Sequence, residues 1–142
     1  MSAIVKKLSV STLKVEQVMT KNVFCLSSDM TIKTAIQDFI LRKISGAPLI
    51  LPATELLLTV VSEADLIKFA AMDGLDQPLK DFIPRLPALE DMVTVRAKDS
   101  FGELFKKFIL KPVRRVIVVS DDGHVVGIVS RRDIMSAFIK DP

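Results

Sequence analysis

The stretch Gly127-Ile128-Val129-Ser130-Arg131-Arg132-Asp133-Ile134-Met135 decides the fold of this chain. Its β-branched start predicts a strand, and Ser130 predicts a helix start, because serine is a favoured N-cap residue. Asp133 falls at the third helical position, where a carboxylate suits the positive end of the helix dipole. The free amides of this first turn, with Arg131 and Arg132 beside them, form a candidate anion site. Taken alone, a cap followed by an acid is ordinary helix-start chemistry and favours a purely structural role.

The chain contains this arrangement twice, the earlier copy being Val60-Val61-Ser62-Glu63-Ala64-Asp65-Leu66-Ile67. Ser62 precedes Asp65 as Ser130 precedes Asp133, and the two serines are 68 residues apart, as are the two aspartates. An internal repeat of this kind indicates two copies of one supersecondary unit.

Segments upstream of the two copies also match, but at two different offsets. Ala47–Ile50 matches Arg115–Val118 at an offset of 68, whereas Phe24–Leu26 matches Val93–Val95 at 69. We therefore expect one residue to be gained or lost in the long helix between these segments.

Hydrophobic periodicity predicts the order β-α-β-β-α in each half, and hence an α/β fold of α+β-like character. The first repeat is expected at 12–74, the second at 75–140, and a lead segment at 1–11. The predicted elements are a short helix at 12–19, then Val23–Leu26, Asp29–Lys43, Ala47–Leu51, Leu56–Val61 and Ser62–Met72, and in the second half Val93–Val95, Ser100–Leu110, Val113–Ser120, His124–Val129 and Ser130–Ile139. A wandering loop is expected at 85–90.

The two halves differ at the hairpin. Asp121-Asp122-Gly123 is a good hairpin turn, whereas the first half has the less regular Pro52–Glu55. Thr59 stands where the second half has Gly127. Pro48 is expected at a strand start or edge, because proline cannot donate to a central ladder.

Composition limits the class of protein. The chain has 142 residues, 49% of them hydrophobic, and a formal net charge of +3, too small to imply nucleic acid by itself. No segment approaches the roughly 18 apolar residues of a membrane span, and no signal sequence is apparent at the start. The single cysteine, Cys25, fits a reducing compartment, so a cytoplasmic location is expected.

No catalytic or metal constellation is apparent in the sequence. The single histidine, His124, follows a predicted turn and is interpreted as a solvated hairpin residue. There is no Cys/His cluster at metal-ligand spacing and no glycine-rich phosphate loop. We expect neither enzyme activity nor a metal site.

The ordered repeat resembles a tandem pair of CBS domains, or Bateman module, over roughly residues 12–140. The resemblance implies two β-α-β-β-α repeats packed through a pseudo-two-fold axis. It also implies that an adenine nucleotide or adenosyl compound binds in a cleft between the repeats, with AMP, ADP, ATP or S-adenosylmethionine as candidate ligands and no required cofactor. Family members stack into discs, so a homodimer is expected, and an effector protein would be regulated in trans.

Residue by residue, the resemblance implies two clefts. The aspartate holds the ribose hydroxyls, the hydroxyl and basic residues of the helix start meet the phosphates, and the adenine lies against the other repeat. The main cleft would comprise Cys25, Ile44, Ser45, Ala47, Pro48, Ser130, Arg131, Arg132 and Asp133. The second would comprise Ser62, Glu63, Asp65, Thr94, Val113, Arg114, Arg115 and Val116. Because Glu63 would lie beside the phosphate, the main cleft is expected to fill first.

Two other hypotheses remain. In one, the module is structural and serves dimerisation or protein docking with its clefts empty. Apolar helix residues expected to form that surface are Phe39, Ile40, Phe69, Phe105, Phe108, Ile109, Phe138 and Ile139. In the other, Arg114, Arg115, Arg131 and Arg132 bind nucleic acid, although the interleaved aromatics that stack bases are missing.

Overall fold

The computed structural model describes residues 13–111 and 113–140, with the side chain of Lys140 excepted. The helices are α1 (Val15–Val18), α2 (Ile32–Arg42), α3 (Glu63–Ala71), α4 (Phe101–Leu110) and α5 (Arg131–Lys140). The strands are β1 (Leu26–Ser27), β2 (Gly46–Ile50), β3 (Leu57–Ser62), β4 (Thr94–Val95), β5 (Arg115–Val119) and β6 (Val125–Ser130). The mixed α/β class and the repeated β-α-β-β-α order are confirmed. The loop predicted at 85–90 connects two 3₁₀ turns, Leu79–Arg85 and Leu89–Asp91, and is irregular only at 86–88.

Each half forms its own three-stranded sheet, in the orders β1-β2-β3 and β4-β5-β6. The first strand runs parallel to the second, and the second and third form an antiparallel hairpin. Three helices begin at hydroxyl caps: the hydroxyls of Thr31, Ser62 and Ser100 each accept from an amide three residues on. The first long helix therefore begins at Ile32, three residues after its predicted start at Asp29. The short first helix begins at Val15, and the start predicted at 12 lies outside the described residues.

The strand register corrects the predicted position of the repeat offset. Gly46 pairs with Ser62, and Arg115 pairs with Ser130. Gly46, not Ala47, therefore occupies the position of Arg115, and the offset remains 69 through the second strand of each sheet. The change to 68 falls in the hairpins, whose linking segments are 51–56 and 120–124. The expectation of an extra residue in the helix is wrong, because a hairpin turn absorbs a length change without disturbing helix packing.

Pro48 lies in the middle strand of its sheet. Its cross-strand partner on one side is Val60, but β1 pairs with β2 only at Leu49 and Ile50. At Pro48 the strand thus has a neighbour on one side alone, which is the local equivalent of an edge and tolerates a missing N–H.

The chain divides into two compact units that do not coincide with the sequence repeats. Unit 1 comprises residues 13–23 and 93–140, and unit 2 comprises Phe24–Met92. Val15 of α1 is fully buried in the core of unit 1, and its amide donates to Asp99 O at 2.9 Å. In unit 2, Leu79 is fully buried and its amide donates to Met30 O at 2.8 Å. The first segment of each predicted repeat therefore packs on the core formed by the rest of the other repeat.

The difference between Gly127 and Thr59 has a packing explanation. A Cβ added at Gly127 would clash with Met19 Sδ and lie 2.9 Å from Met19 Cγ, so the close approach of residues 13–23 to β6 favours a glycine. At the matching position of unit 2, the buried Thr59 hydroxyl donates to Pro87 O at 2.7 Å. Gly127 thus leaves room for Met19 in unit 1, whereas Thr59 donates a hydrogen bond to Pro87 in unit 2.

The predicted Asp121-Asp122-Gly123 turn is confirmed, with Gly123 at a φ of 88°. Ser120 and His124 close it through a backbone bond of 2.8 Å. None of the described helices has the length and apolar character needed to cross a membrane.

Candidate functional site

The start of α5 is a self-contained cap. Asp133 Oδ2 accepts from the Ser130 amide at 2.9 Å and from the Ser130 hydroxyl at 3.2 Å. The Asp133 amide donates back to Ser130 Oγ at 3.4 Å. These reciprocal bonds form a capping box, which arises from the sequence spacing alone. One carboxylate oxygen is therefore engaged in structure, and Oδ1 is the oxygen better placed to accept from a ligand.

Thr20 is a site residue that the sequence interpretation missed. Its hydroxyl donates to the Asp133 carboxylate, 3.3 Å from Oδ1 and 3.4 Å from Oδ2. The backbone of Thr20 is fixed by a reciprocal pair of bonds to Ile128, 2.8 Å and 3.0 Å long. Thr20 thus forms an isolated antiparallel bridge to Ile128 of β6, and this bridge brings its hydroxyl to the site. The sequence signal that could have pointed to Thr20 was the similarity of 15–19 to 79–83, which indicates equivalent segments at the start of the two repeats.

Four arginines occupy the same end of unit 1. Arg131 and Arg132 begin α5 and are exposed, and Arg115 is the cross-strand partner of Ser130. Arg114 precedes Arg115 and is exposed as well. The sequence interpretation assigned Arg114 and Arg115 to the second cleft and the other pair to the main cleft, whereas the register brings all four beside one helix start.

The start of α3 in unit 2 has the same cap but different surroundings. Asp65 Oδ2 accepts from the Ser62 amide and hydroxyl, both at 2.9 Å, and the Asp65 amide donates to Ser62 Oγ at 3.1 Å. Glu63 is exposed at the first helical position, and its amide donates to Ser45 O at 2.9 Å. Among the described residues, no counterpart of the Thr20 hydroxyl bonds to Asp65. This end of unit 2 therefore presents a carboxylate where unit 1 presents arginines.

Unit 2 also has a cavity of about 500 Å³ between α2 and α3. Six of its lining side chains are aliphatic or aromatic, and Lys43, Ser45 and Glu63 are its polar members. Three predicted site residues, Ile44, Ser45 and Glu63, are thereby brought together on one surface. The lining is Ile36, Phe39, Ile40, Lys43, Ile44, Ser45, Glu63, Leu66 and Ile67.

The remaining predicted site residues are mostly strand residues with little free side chain. Ala47 is 1% exposed and Val116 is fully buried, so both side chains belong to cores and only backbone groups are left for a ligand. Pro48 is buried, Val113 is half-buried, and Thr94 O accepts from Lys107 Nζ at 2.7 Å.

Cys25, just before β1, is half-buried. Burial raises the pKa of the Cys25 thiol, and the nearby Glu55 carboxylate adds to the effect. A thiol of this kind is protonated at neutral pH and is a weak nucleophile.

The residues predicted for each cleft come partly from unit 1 and partly from unit 2. Within unit 1 the structure brings together Ser130, Arg131, Arg132 and Asp133, and adds Arg115. Within unit 2 it brings together Ser62, Glu63 and Ser45. In residues 13–111 and 113–140, no group of three or more histidine, cysteine, aspartate or glutamate side chains is arranged to hold a metal ion.

Comparison with known proteins agrees with this architecture. The CBS domain family model matches residues 15–71 and 80–140. The uncharacterized protein MJ1232 of Methanocaldococcus jannaschii is 27% identical over 127 residues, which cover 89% of this chain and 40% of that protein. Subunit gamma-3 of the 5'-AMP-activated protein kinase of Homo sapiens is 27% identical over 115 residues, covering 78% of this chain and 23% of that subunit. The chain thus spans less than half the length of these relatives.

Solved structures share the fold. CBSX2 in complex with AMP superposes with a TM-score of 0.75 at 22% identity, covering 89% of this chain and 96% of that one. The CBS domain pair of protein MJ0100, in complex with 5'-methylthioadenosine and S-adenosyl-L-methionine, superposes with a TM-score of 0.73 at 21% identity, covering 90% and 97%.

Proposed function

The chain belongs to the CBS domain family, and from that premise we propose that it is a regulatory module that binds an adenine nucleotide or adenosyl compound. The observation that carries the proposal is the start of α5, where Asp133, Thr20 and exposed arginines surround one helix N-terminus. Support also comes from the two CBS proteins of the same fold whose structures contain AMP or S-adenosyl-L-methionine. The same family supports a regulatory rather than a catalytic role.

Each group at this helix start has a chemical role in the proposal. Asp133 Oδ1 accepts the ribose hydroxyls through charge-assisted hydrogen bonds. Thr20 and Ser130 hold the carboxylate in position, because three hydrogen bonds from these residues converge on Oδ2 and one on Oδ1. The first-turn amides of α5, with Arg131 and Arg132, neutralise the phosphates. Cys25, Ile44, Ser45, Ala47 and Pro48 supply the adenine side, as the family resemblance implies.

The second cleft, built on Ser62 and Asp65, is proposed to bind more weakly. It has the same carboxylate and cap but carries Glu63 where a phosphate would lie. Like charge in a partly desolvated site costs on the order of 1 kcal/mol or more. Arg114 and Arg115, the basic residues predicted for this second cleft, lie in unit 1, where Arg115 pairs with Ser130.

The two capping boxes provide a matched experiment. Asp133→Ala and Asp65→Ala each remove one cap, at a cost of about 1 kcal/mol in the free energy of unfolding. Titration calorimetry with adenosine, AMP, ATP and S-adenosylmethionine is expected to show that Asp133→Ala removes most of the affinity and Asp65→Ala little. A bound ligand at 100 times its Kd should stabilise the protein by about 2.7 kcal/mol. If Asp65→Ala alone abolished binding, the assignment of the clefts would be reversed. If no compound bound the unmodified chain, the proposal would fail.

The second candidate function is a ligand-free assembly module, and the exposed apolar helix surface favours it. In unit 2, Ile40 is 73% exposed and Ile67 68%, and both line the cavity between α2 and α3. In unit 1, Leu110 is 80% exposed. Exposed apolar side chains that cluster on neighbouring helices usually mark an interface. Phe39 and Phe69, which were expected to contribute, are core residues and do not. Phe105 and Phe108 are half-buried, whereas Ile109, Phe138 and Ile139 are exposed.

We propose that this surface joins two copies into a homodimer and that the module acts on an effector protein in the cytoplasm. Sedimentation at tens of micromolar should give twice the monomer mass for the unmodified chain. Ile40→Glu with Ile67→Glu should shift it to a monomer without lowering its helix content by circular dichroism. A monomeric unmodified chain would contradict the dimer and leave the ligand proposal to calorimetry.

A further inference from the structure

We propose that two copies of the chain associate through unlike units, so that the apolar helix surface of unit 1 in one copy docks into the cavity between α2 and α3 of unit 2 in the other. The inference rests on the proposed homodimer and deepens it, because it assigns which surface of one copy meets which surface of the second. Under a two-fold axis this contact is made twice, once in each direction, and the pair is closed.

The two helices of unit 1 present an apolar surface above an interior that is already filled. The Phe138 ring of α5 packs edge-on against Phe105 and Phe101 of α4, with ring centroids 5.5 Å and 6.3 Å apart. Side chains beyond these rings project into solvent, and Ile139 is 88% exposed. The name unit 1 surface is used for the exposed members of this group, Ile109, Leu110, Met135, Phe138 and Ile139.

The matching helices of unit 2 have smaller side chains where unit 1 has rings. Aligned by the residues that cap the helices, Phe105 corresponds to Ile36 and Phe138 corresponds to Ala70. The cavity of about 500 Å³ lies between these two helices, and most of its lining is apolar. The name unit 2 surface is used for this cavity with the exposed apolar residues of its lining, Ile40 and Ile67.

Shape favours a contact between the unlike surfaces. Well-packed interfaces are about as dense as protein interiors, and a void forfeits the contacts of the atoms that line it. Two unit 2 surfaces placed face to face would enclose two cavities, and two unit 1 surfaces would set projecting side chains against each other. A contact between unlike surfaces instead places the projecting Leu110 and Ile139 against an apolar cavity.

Charge favours the same pairing. Residues 13–23 and 93–140 of unit 1 contain twelve lysines and arginines and six aspartates and glutamates, whereas unit 2 contains six and ten. Unit 1 therefore has a formal charge of +6 and unit 2 a formal charge of −4. Most of the acids of unit 2 lie outside α2 and α3, so the attraction acts between whole units and does not depend on ion pairs at the contact. Complementary charge of this kind selects the orientation in which two molecules meet.

The sign of the salt dependence tests the pairing. Charges act over about 30 Å at 0.01 M salt but over only about 8 Å at 0.15 M. Sedimentation of the unmodified chain without nucleotide should therefore give a dimer Kd that rises severalfold between these two salt concentrations, because screening removes an attraction. Association through like units would set +6 against +6 and −4 against −4. Screening would then remove a repulsion, and a Kd that falls with salt would overturn the inference.

Mixing two variants tests which surfaces touch. Ile40→Gln with Ile67→Gln alters the unit 2 surface, and glutamine leaves the charge of the unit unchanged. Leu110→Gln with Ile139→Gln alters the unit 1 surface in the same way, and all four side chains are exposed, so folding should be unaffected. When unlike surfaces meet, the mixed dimer keeps one contact intact and collects all four changes in the other. Because changes on touching surfaces are non-additive, native mass spectrometry of an equimolar mixture, with one variant isotopically labelled, should favour the heterodimer about tenfold over its statistical equilibrium constant.

The outcomes separate this pairing from the homodimer itself. Leu89→Gln, which changes an exposed leucine outside both surfaces, should leave the dimer Kd unchanged. If Leu89→Gln weakened the dimer as much as the surface variants, or if the heterodimer formed at or below its statistical value, the pairing of unlike units would be overturned while the homodimer stood. A monomeric unmodified chain at tens of micromolar would overturn both and would leave the two surfaces to a protein of different sequence.

Discussion

Gly127→Ala tests whether Met19 is held against β6 as closely as the structure indicates. Glycine inside a strand normally weakens it, so an alanine in open space would stabilise the protein by about 0.4–1 kcal/mol. Here the added Cβ would lie 2.9 Å from Met19 Cγ and 3.3 Å from Met19 Cβ. The expected sign is therefore reversed, and the substitution should destabilise.

The size of the loss follows from the displacement required. Carbon atoms pack best at about 3.5–4.0 Å, so Met19 Cγ must retreat by roughly 0.6–1.1 Å, and Met19 Sδ, which is nearer to the added Cβ, must move farther. Forcing a methyl group into a packed site costs about 1–3 kcal/mol. For a chain of this length, that is a fall in Tm of roughly 4–12 °C. Thr20 follows Met19, so the shift should also weaken the Thr20 hydrogen bond to Asp133 and lower any nucleotide affinity by about two- to tenfold.

Thermal unfolding of four proteins checks the argument: the unmodified chain, Gly127→Ala, Met19→Ala and the double variant. Met19→Ala removes the obstructing atoms, so the double variant should be at least as stable as Met19→Ala alone. Contacting sites show such non-additivity, whereas independent sites add. If the two losses added, or if Gly127→Ala alone raised Tm, the close approach of Met19 to β6 would be refuted.

Three further predictions concern single groups. Thr59→Val should lower the free energy of unfolding by about 1–3 kcal/mol, because Pro87 O loses its donor, and urea unfolding should show it with no change in slope. The raised pKa of the Cys25 thiol favours its protonated form in the folded state, so this contribution to stability is complete at low pH and is lost as pH rises through the folded pKa. Iodoacetamide should therefore label Cys25 more slowly than a cysteine peptide at pH 8, and ATP should slow it further if Cys25 lines the cleft; equal rates would contradict its burial. Hydrogen bonds from Ser120 and His124 hold the pKa of Asp122 below its ordinary value, so its contribution to stability is present above that ordinary value and is lost as pH falls through the folded pKa. Asp122→Asn should flatten the acid limb of a pH–Tm curve, and an unchanged limb would rule this out.

The sequence predicts what depends on local chemistry. The caps at Ser62 and Ser130 and the Asp121-Asp122-Gly123 turn follow from spacing within a few residues, and all are confirmed. Hairpin length and strand register depend on pairing between segments, which is why the position of the extra residue was predicted wrongly.

The other features that were not predicted depend on contacts between residues far apart in the sequence. Thr20 acts on Asp133 across 113 positions, and the sequence supplies no local sign of that pairing. Val15 is buried in the core of unit 1 and Leu79 in the core of unit 2, and their amides donate to Asp99 O and Met30 O respectively. Arg115 was predicted in the second cleft, and its pairing with Ser130 becomes apparent only once the register is known.

The two helix starts show why the repeated Ser-x-x-Asp motif does not by itself identify a binding site. In both units the aspartate accepts from the amide and hydroxyl of the serine three residues before it, and helix stability alone is enough to explain that arrangement. The units diverge only in the groups around the cap. Asp133 has the Thr20 hydroxyl and four arginines, whereas Asp65 has Glu63 and, beside it, a largely apolar cavity. A nucleotide with several phosphates would distinguish between these two ends by more than its ribose, which both aspartates could hold. The function that we propose for the chain therefore depends less on the shared motif than on the residues that the repeat does not preserve.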